Sequence, residues 1–458
     1  MSFEGEFASY EPLRRIMESD KVSAMQKRFR VLHKDKTVKD NAPTLIVNKK
    51  DLPESVIQPD LILSIDGSNL VGKAENGFPG AEFGYITIAS VLIDLKKIEQ
   101  LETQKFIDPV EFRETEKADT IESVFPGCNV ILDSENDAVS SVRKVIFEEF
   151  KNSKSAFEGC ETLLETYEYL FKMKREKYAD THRPKSPTDN DKEMVYGYGI
   201  YECPYTHRTL YSTDALRLHE LLKPEGTSGE LYGQIMSTME KLWLVNLLRS
   251  FEKKNWLPTL RRVAFIMDGP LAVFSTSSWL TKVISDEIIR INEKQKKING
   301  VDLFLIGIEK TGIFFNHFTD IDTDVNGTTD VFARQSAMLL DDSYIKKHII
   351  FNEASTKPYG QDTYFGRKFF YKTKSGQRIV PVVCCFNSKQ KDLSTATPEQ
   401  FSRLGDIMAL LDKVASSRYP NSISPLVSAH AEAAIPLNLG KRLFEEIAKE
   451  IREQTKQC

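Results

Sequence analysis

The sequence contains few cysteines, and their spacing argues against both a disulfide framework and a structural zinc site. The 458 residues include 6 cysteines, and none of them forms a Cys-x-x-Cys pair. In a chain of this length, scattered cysteines indicate free thiols rather than a disulfide framework. Residues 203–207, which begin with Cys203 and end with His207, have the spacing of half a zinc site. No second pair completes it, so we do not expect structural zinc.

Long hydrophobic runs, a large charge excess and a nucleotide-binding loop are also missing. No apolar stretch is long enough to cross a bilayer, and residues 1–7 lack the layout of a signal peptide, so we expect a cytoplasmic protein without membrane contact. Lys and Arg total 62 against 66 for Asp and Glu, so any polyanion must bind a local basic surface. The motif Gly-x-x-x-x-Gly-Lys followed by Ser or Thr is absent, so the chain carries no ATP-driven motor of its own.

Two apolar segments of the sequence end in the same way. Residues 61–66 finish on Asp66 followed by Gly67, and residues 263–268 finish on Asp268 followed by Gly269. Such runs predict strands that are buried on both faces and that stop at the aspartate. Asp-Gly after a strand is also a common turn signal. If the two strands are neighbours, however, their carboxylates would form an oxygen-rich site for a divalent cation.

A third carboxylate comes from the helix predicted over residues 232–253. At 100° per residue, Glu240 falls in the middle of the apolar face of this helix, which includes Trp243 and Leu247. Glu252 falls about 120° away by the same rotation. A glutamate that points into a core needs a partner, because burying an unpaired carboxylate costs several kcal/mol. A metal ion and a buried arginine are the two partners that would suit Glu240.

The alternation of strand and helix patterns predicts an α/β fold with a three-layer core. We expect strands near residues 61–66, 85–95, 263–268 and 302–310, a hairpin turning at 374–376, and helices at 278–297, 398–416 and 437–454. Residues 1–58 form a charged, helical N-terminal segment in this interpretation. Residues 59–96 and 231–458 form the core, and the strongly charged residues 97–230 form a helical insertion outside it.

With these residues identified, the sequence resembles the NurA family of nucleases. Residues 65–68 around Asp66 resemble the family's opening motif, and Glu240 and residues 267–271 around Asp268 resemble its second and third acidic positions. Lys310 falls where the family has a lysine after a strand, and Tyr419 and His430 resemble its C-terminal tyrosine–histidine motif. The spacing from Glu240 to Asp268 is longer than the family's, which leaves Glu252 as an alternative acidic ligand. The charged region of residues 97–230 is larger than we expect for a member of this family.

The resemblance implies an RNase H-like core with a mixed sheet and a Mn²⁺-dependent (or Mg²⁺-dependent) DNA nuclease with exonucleolytic and endonucleolytic activity. Asp66, Glu240 and Asp268 would be metal ligands, Lys310 would stabilise phosphate charge, and His430 would be an auxiliary ligand or would orient water. The resemblance further implies a homodimer that acts on DNA with HerA, a hexameric ATPase translocase, in DNA end resection or in defence against phage.

Two other functions are compatible with the same residues. The chain could be a non-catalytic DNA-binding or adaptor subunit of the translocase complex, with a relic acidic pocket. It could also be a metal-dependent phosphatase that acts on small molecules, although nothing in the sequence marks a nucleotide pocket.

Overall fold

The computed structural model describes residues 11–28, 46–53, 57–74, 81–102, 116–155, 159–178, 183–223, 227–274, 277–323, 331–415, 423–434, 446–447 and 449. The chain divides into a unit of residues 1–44 and a unit of residues 45–458. The first unit contains helices α1 (Glu11–Met17) and α2 (Asp20–Arg28). The helix predicted over 437–454 lies almost entirely outside the described residues, as does Tyr419.

The second unit is built around one large sheet with helices on both sides. Its strands are β1 (Ile46–Asn48), β2 (Leu61–Lys73), β3 (Glu82–Asp94), β4 (Glu116–Pro126), β5 (Lys185–Ser186), β6 (Asp189–Glu193), β7 (Ile200–Glu202), β8 (Thr209–Tyr211), β9 (Val263–Asp268), β10 (Phe304–Glu309), β11 (Ser336–Leu339), β12 (Gly366–Lys372) and β13 (Arg378–Cys384). Its helices are α3 (Leu95–Glu102), α4 (Ala138–Asn152), α5 (Leu163–Lys177), α6 (Gly229–Lys253), α7 (Trp279–Asn299), α8 (Ile313–Ile321), α9 (Asp342–Tyr344), α10 (Ser388–Lys391), α11 (Leu404–Val414) and α12 (Ser424–Ala433).

The large sheet is mixed and has nine strands in the order β1-β11-β12-β13-β10-β9-β2-β3-β4. Strands β2, β3 and β4 form an antiparallel meander, while β9 pairs in parallel with β2, and β10 pairs in parallel with β9. Three antiparallel strands followed by two parallel ones across the centre of a sheet form the RNase H-like arrangement. The predicted α/β class, the mixed sheet and the hairpin of β12 and β13 are confirmed.

Two hydrophobic clusters on opposite faces of the sheet make the three layers. One cluster joins α4, α5, α6 and α7 to the sheet and includes Phe150, Tyr167, Trp243 and Phe265. The other joins α11 and α12 to the opposite face through residues such as Ile266 and Met408. Across the ranges given above, every helix is too short or too polar to traverse a lipid bilayer.

Residues 97–230 are not set apart from the core as the sequence suggested. Strand β4 is the third strand of the meander and pairs with β3 from Phe83 to Ile93. The same cluster that contains Leu63 of β2 also contains Val142 and Phe150 of α4 and Leu170 of α5. The charged composition of β4 has a simple cause: as an edge strand it buries alternate residues near its end and exposes the others. The structure therefore moves the boundary of the core to include β4, α4 and α5.

Strand β2 continues past Asp66 instead of ending there. Its parallel pairing with β9 stops at Ile65 and Met267, while its antiparallel pairing with β3 runs on to Lys73. The sheet therefore splits immediately before Asp66. A cleft at the carboxyl ends of parallel strands is where open α/β sheets bind ligands.

Candidate functional site

The structure brings together three carboxylates that are far apart in the sequence. Asp66 lies where β2 leaves β9, and Asp268 is the last residue of β9, so both lie at the same edge of the sheet. Glu240 projects from α6 and is only 6% exposed. Together these side chains line one cavity of about 570 Å³, which we call the acidic cavity.

Gly67 explains how α6 approaches β2 so closely. A Cβ atom at position 67 would lie 2.5 Å from Oε1 of Glu240 and 2.9 Å from Met236. No side chain can occupy this space without displacing the glutamate. The glycine that sequence analysis assigned to a turn signal is therefore required for close packing between the strand and the helix.

Asp66 is the most strongly perturbed carboxyl group of the cavity. It is 3% exposed, and burial, followed by the charges of Asp268 and Glu240, raises its pKa to about 7. The positive charges of Lys310 and His430 oppose this rise without cancelling it. The three carboxylates therefore have too little positive charge around them when all are ionised.

Each carboxylate nevertheless contacts one basic side chain. Lys310 Nζ lies 3.0 Å from Asp268 Oδ1, Lys241 Nζ donates to Glu240 Oε2 at 2.8 Å, and His430 Nδ1 lies 3.0 Å from Asp66 Oδ2. Within the described ranges, no three His, Cys, Asp or Glu side chains meet in the geometry of a metal site. The basic partners thus stand close to the carboxylate oxygens that would face a metal ion.

The donor set fits a divalent cation of the Mg²⁺ or Mn²⁺ kind. The ligands would be hard carboxylate oxygens, which such ions prefer. The raised pKa of Asp66 reflects burial and a surplus of negative charge that a cation would relieve. Lys310 is a long side chain that retains about a quarter of its exposed surface, so it has room to move away from Asp268.

Of the two candidate glutamates, Glu240 lines the acidic cavity and Glu252 does not. Glu252 contacts Arg290 at 2.5 Å and Lys294 at 2.6 Å. Hydrogen bonds from these two residues lower the pKa of Glu252 to about 2. Glu252 is therefore fully occupied by cations of α7, whereas Glu240 faces Asp66 and Asp268.

Two residues of the site escaped the sequence analysis. Glu309 is the last residue of β10, and Lys368 Nζ contacts its Oε1 at 2.6 Å. Lys368 also lies 3.7 Å from the ring centroid of Phe314 and donates to the hydroxyl of Tyr364 at 3.0 Å. Glu309 could have been found, because it ends an apolar run as Asp66 and Asp268 do. Lys368 has no comparable signal, since nothing in its local sequence distinguishes it from a strand lysine.

Comparison with known proteins shows which family and which solved structures this chain is similar to. The family model described as the NurA domain matches residues 60–435. The crystal structure of the NurA nuclease from Sulfolobus solfataricus resembles the chain with a TM-score of 0.37 and 11% identity, over 97% of this chain and 97% of that one. Another crystal structure of NurA gives a TM-score of 0.26 and 8% identity, over 93% of this chain and 94% of that one. No curated protein matches the sequence.

Proposed function

Because this chain belongs to the NurA family, we propose that it is a metal-dependent deoxyribonuclease that hydrolyses phosphodiester bonds at strand ends and internally. The observation that carries the proposal is the convergence of Asp66, Glu240 and Asp268 on one cavity at the split of the sheet. The solved relative from Sulfolobus solfataricus is itself named a nuclease.

Each residue of the cavity has a specific part in this proposal. Asp66, Glu240 and Asp268 would hold Mn²⁺ or Mg²⁺. The bound metal would supply an activated water and neutralise the charge of the leaving oxygen. His430 contacts Asp66 through Nδ1, so its other ring nitrogen would either serve as an auxiliary metal ligand or orient water. Lys310, once it leaves Asp268, would contact a phosphate oxygen.

We further propose that the chain works on DNA as a homodimer with a HerA-type hexameric ATPase in the cytoplasm, in end resection or in defence against phage. Family membership supports this partnership. The absence of a phosphate-binding loop motif also supports it, because translocation along DNA would then require a separate motor.

The decisive experiment compares Asp66, which lies within β2, with Asp60, which lies just before it. Asp66→Ala should abolish Mn²⁺-dependent cleavage of linear and circular DNA, whereas Asp60→Ala should retain it. Asp60 immediately precedes β2 and contacts Arg262 at 2.8 Å, so it tests the loss of a carboxylate outside the cavity. Both proteins should unfold near the wild-type temperature. Cleavage by the Asp66→Ala protein at the wild-type rate would disprove the assignment.

One observation favours a second candidate, a non-catalytic DNA-binding subunit. Lys241, Lys310 and His430 already contact the three carboxylates, and ion pairs of this kind could have replaced a metal. Calorimetric titration with Mn²⁺ separates the two functions. The nuclease should bind Mn²⁺ and lose that binding in Asp268→Asn, while the adaptor should show no carboxylate-dependent binding.

A further inference from the structure

A second cavity adjoins the acidic cavity and is not used by the proposed reaction. It has a volume of about 420 Å³ and is lined by residues that include Lys282, Arg367, Lys391 and Phe365. We call it the arginine cavity. Tyr359, Tyr364 and Lys368 line both cavities, so these three side chains form the wall between them.

The wall is thin and held by its own hydrogen bonds. The hydroxyls of Tyr359 and Tyr364 lie 3.2 Å apart, and their ring centroids are separated by 5.5 Å. The ammonium group of Lys368 donates both to the hydroxyl of Tyr364 and to the carboxylate of Glu309, which lines the acidic cavity. A chain molecule that passes over this wall would therefore place neighbouring units in the two cavities.

Basic side chains outnumber carboxylates around the arginine cavity, because Lys282, Arg367, Lys368 and Lys391 line it together with Asp342 and Asp392. Arg367 is 2% exposed, and its guanidinium donates to backbone carbonyls at Leu340, Gln390, Asp392 and Thr395. Among the residues that the structure describes, it forms no salt bridge. The other deeply buried cations Lys372 and Arg143 contrast with it, because each contacts an aspartate at 2.7 Å. A buried charge without a counter-ion is costly, so an anionic ligand here would be stabilising.

Two lysines extend this charge to the rim of the cavity. Lys391 is exposed and donates to the hydroxyl of Ser285 at 3.0 Å. Lys282 is half-exposed and lies 3.9 Å from Asp362, which is a long and solvated contact. Both ammonium groups can therefore approach an anion at the mouth of the cavity, while Arg367 lies deeper behind it.

The inner surface of the cavity is suited to a flat, apolar group. Its lining includes the partly buried Tyr359 and Tyr364 together with the almost fully buried Phe365, Leu340 and Ile345. Aromatic rings of this kind stack on nucleobases in proteins that bind single strands. A volume of about 420 Å³ lies near the lower end of the range for small-ligand sites, which suits one nucleotide rather than a base pair.

We propose that the arginine cavity is a subsite for one unpaired nucleotide of the DNA strand whose adjacent phosphate lies in the acidic cavity. The base packs against Tyr359 and Tyr364, and Lys282 and Lys391 contact its phosphate in the field of Arg367. This inference rests on the proposed nuclease function, since it extends the path of the same strand beyond the acidic cavity.

The test measures binding in the presence of a chelator, so that no cleavage occurs. A fluorescent single-stranded oligonucleotide is titrated with the wild-type chain and with Lys282→Gln/Lys391→Gln at several salt concentrations. The double variant should raise Kd about tenfold and reduce the slope of log Kd against log salt by about one, because phosphate contacts are lost. Both lysines are exposed, so the variant should fold normally.

A matched control uses two lysines on the same helices that line neither cavity. Lys297 is on α7 with Lys282, and Lys389 is on α10 with Lys391, and both are exposed. Lys297→Gln/Lys389→Gln should leave Kd within about twofold of the wild type. A covalently closed circular duplex should bind the test variant and the control variant equally, because it offers no unpaired nucleotide. Wild-type affinity and slope in the test variant, or an equal loss on the closed duplex, would overturn the subsite.

The same proteins distinguish failure of the subsite from failure of the nuclease proposal. If the wild-type chain cleaves no DNA with Mn²⁺ while the test variant still loses affinity for the single strand, the nuclease proposal fails and the subsite stands. If the wild-type chain cleaves DNA and the test variant binds the single strand normally, only the subsite fails.

Discussion

Helix α6 carries two buried acidic environments with opposite character. Near its middle, Glu240 joins Asp66 and Asp268 in a cavity where negative charge exceeds positive charge. Further along the same helix, Arg249 and Glu252 belong to a network that continues to Glu161, Glu287 and Arg290. Every carboxylate of the network contacts a guanidinium, whereas the three carboxylates of the cavity contact two lysines and a histidine. The arginine contacts join the helices structurally, and the weaker neutralisation in the cavity leaves a site that can accept a cation.

The largest expected effect distinguishes the two glutamates of α6. Glu240→Gln should reduce the rate of DNA cleavage by about 1,000-fold, since it removes a charged metal ligand worth several kcal/mol of transition-state stabilisation. Glu252→Gln should keep the wild-type rate, because its carboxylate lies outside the acidic cavity and contacts Arg290 and Lys294 on α7. The measurement is the initial cleavage rate with saturating Mn²⁺. Equal losses in the two variants would contradict the division of α6 into two environments.

The next effect is on stability and concerns Arg249. This residue is 11% exposed and contacts Glu161 at 2.7 Å and Glu287 at 2.8 Å, and Glu287 is fully buried. Arg249→Leu should lower the free energy of unfolding by about 3 kcal/mol, because it leaves a buried carboxylate with fewer partners. Lys253, which is half-exposed and also contacts Glu161, is the matched control. Lys253→Leu should cost about 1 kcal/mol or less in the same urea titration.

A glycine substitution tests the geometry of the cavity without changing its charge. Gly67→Ala should lower the cleavage rate by about 100-fold, because the added methyl group displaces Glu240 from its position beside Asp66. The control is Gly233→Ala on α6, where an added Cβ contacts nothing within 4 Å and should stabilise the helix slightly. If both proteins cleave DNA at the wild-type rate, the packing at Gly67 does not position Glu240.

The smallest expected effect is a pH dependence of protein stability, which arises from the contacts of Glu252 in this network. Contacts with Arg290 and Lys294 lower the pKa of Glu252 to about 2 from its ordinary value near 4.5. The stabilisation from this carboxylate is therefore complete above about pH 4.5 and is lost as the pH falls toward 2. Because the contacts are partly exposed, we expect a loss of about 1 kcal/mol at most. Thermal unfolding between pH 5 and 3 should show a steeper decline in the wild type than in Glu252→Gln, and parallel curves would contradict the pairing.

The sequence predicted those parts of the molecule where the pattern of apolar residues matches their burial in the folded structure. The apolar runs of β2, β9 and β10 are buried from both sides, so their strand character was readable. Glu240 was found because an acidic residue on an apolar helix face is unusual. Asp66 and Asp268 were found because both follow such runs, although β2 continues beyond Asp66 to Lys73.

Other parts depend on pairings that a single sequence does not reveal. Strand β4 exposes much of one face at the edge of the sheet, so its charges resembled those of a surface insertion. The wall of Tyr359, Tyr364 and Lys368 combines a loop with the start of β12 and has no periodic signal. His430 reaches Asp66 across 364 positions of the chain, a contact that no spacing rule predicts.

The early separation of β2 from β9 changes what fixes the spacing of the two aspartates. The pairing of β2 with β9 ends at Ile65 and Met267, one residue before Asp66 and Asp268, while β2 stays paired with β3 as far as Lys73. Directly after Asp66, Gly67 packs against Glu240 and Met236 of α6. The gap between the carboxylates of Asp66 and Asp268 therefore depends on how α6 seats against β2 as well as on strand pairing, so substitutions on this face of the helix should alter that gap without breaking a hydrogen bond of the sheet.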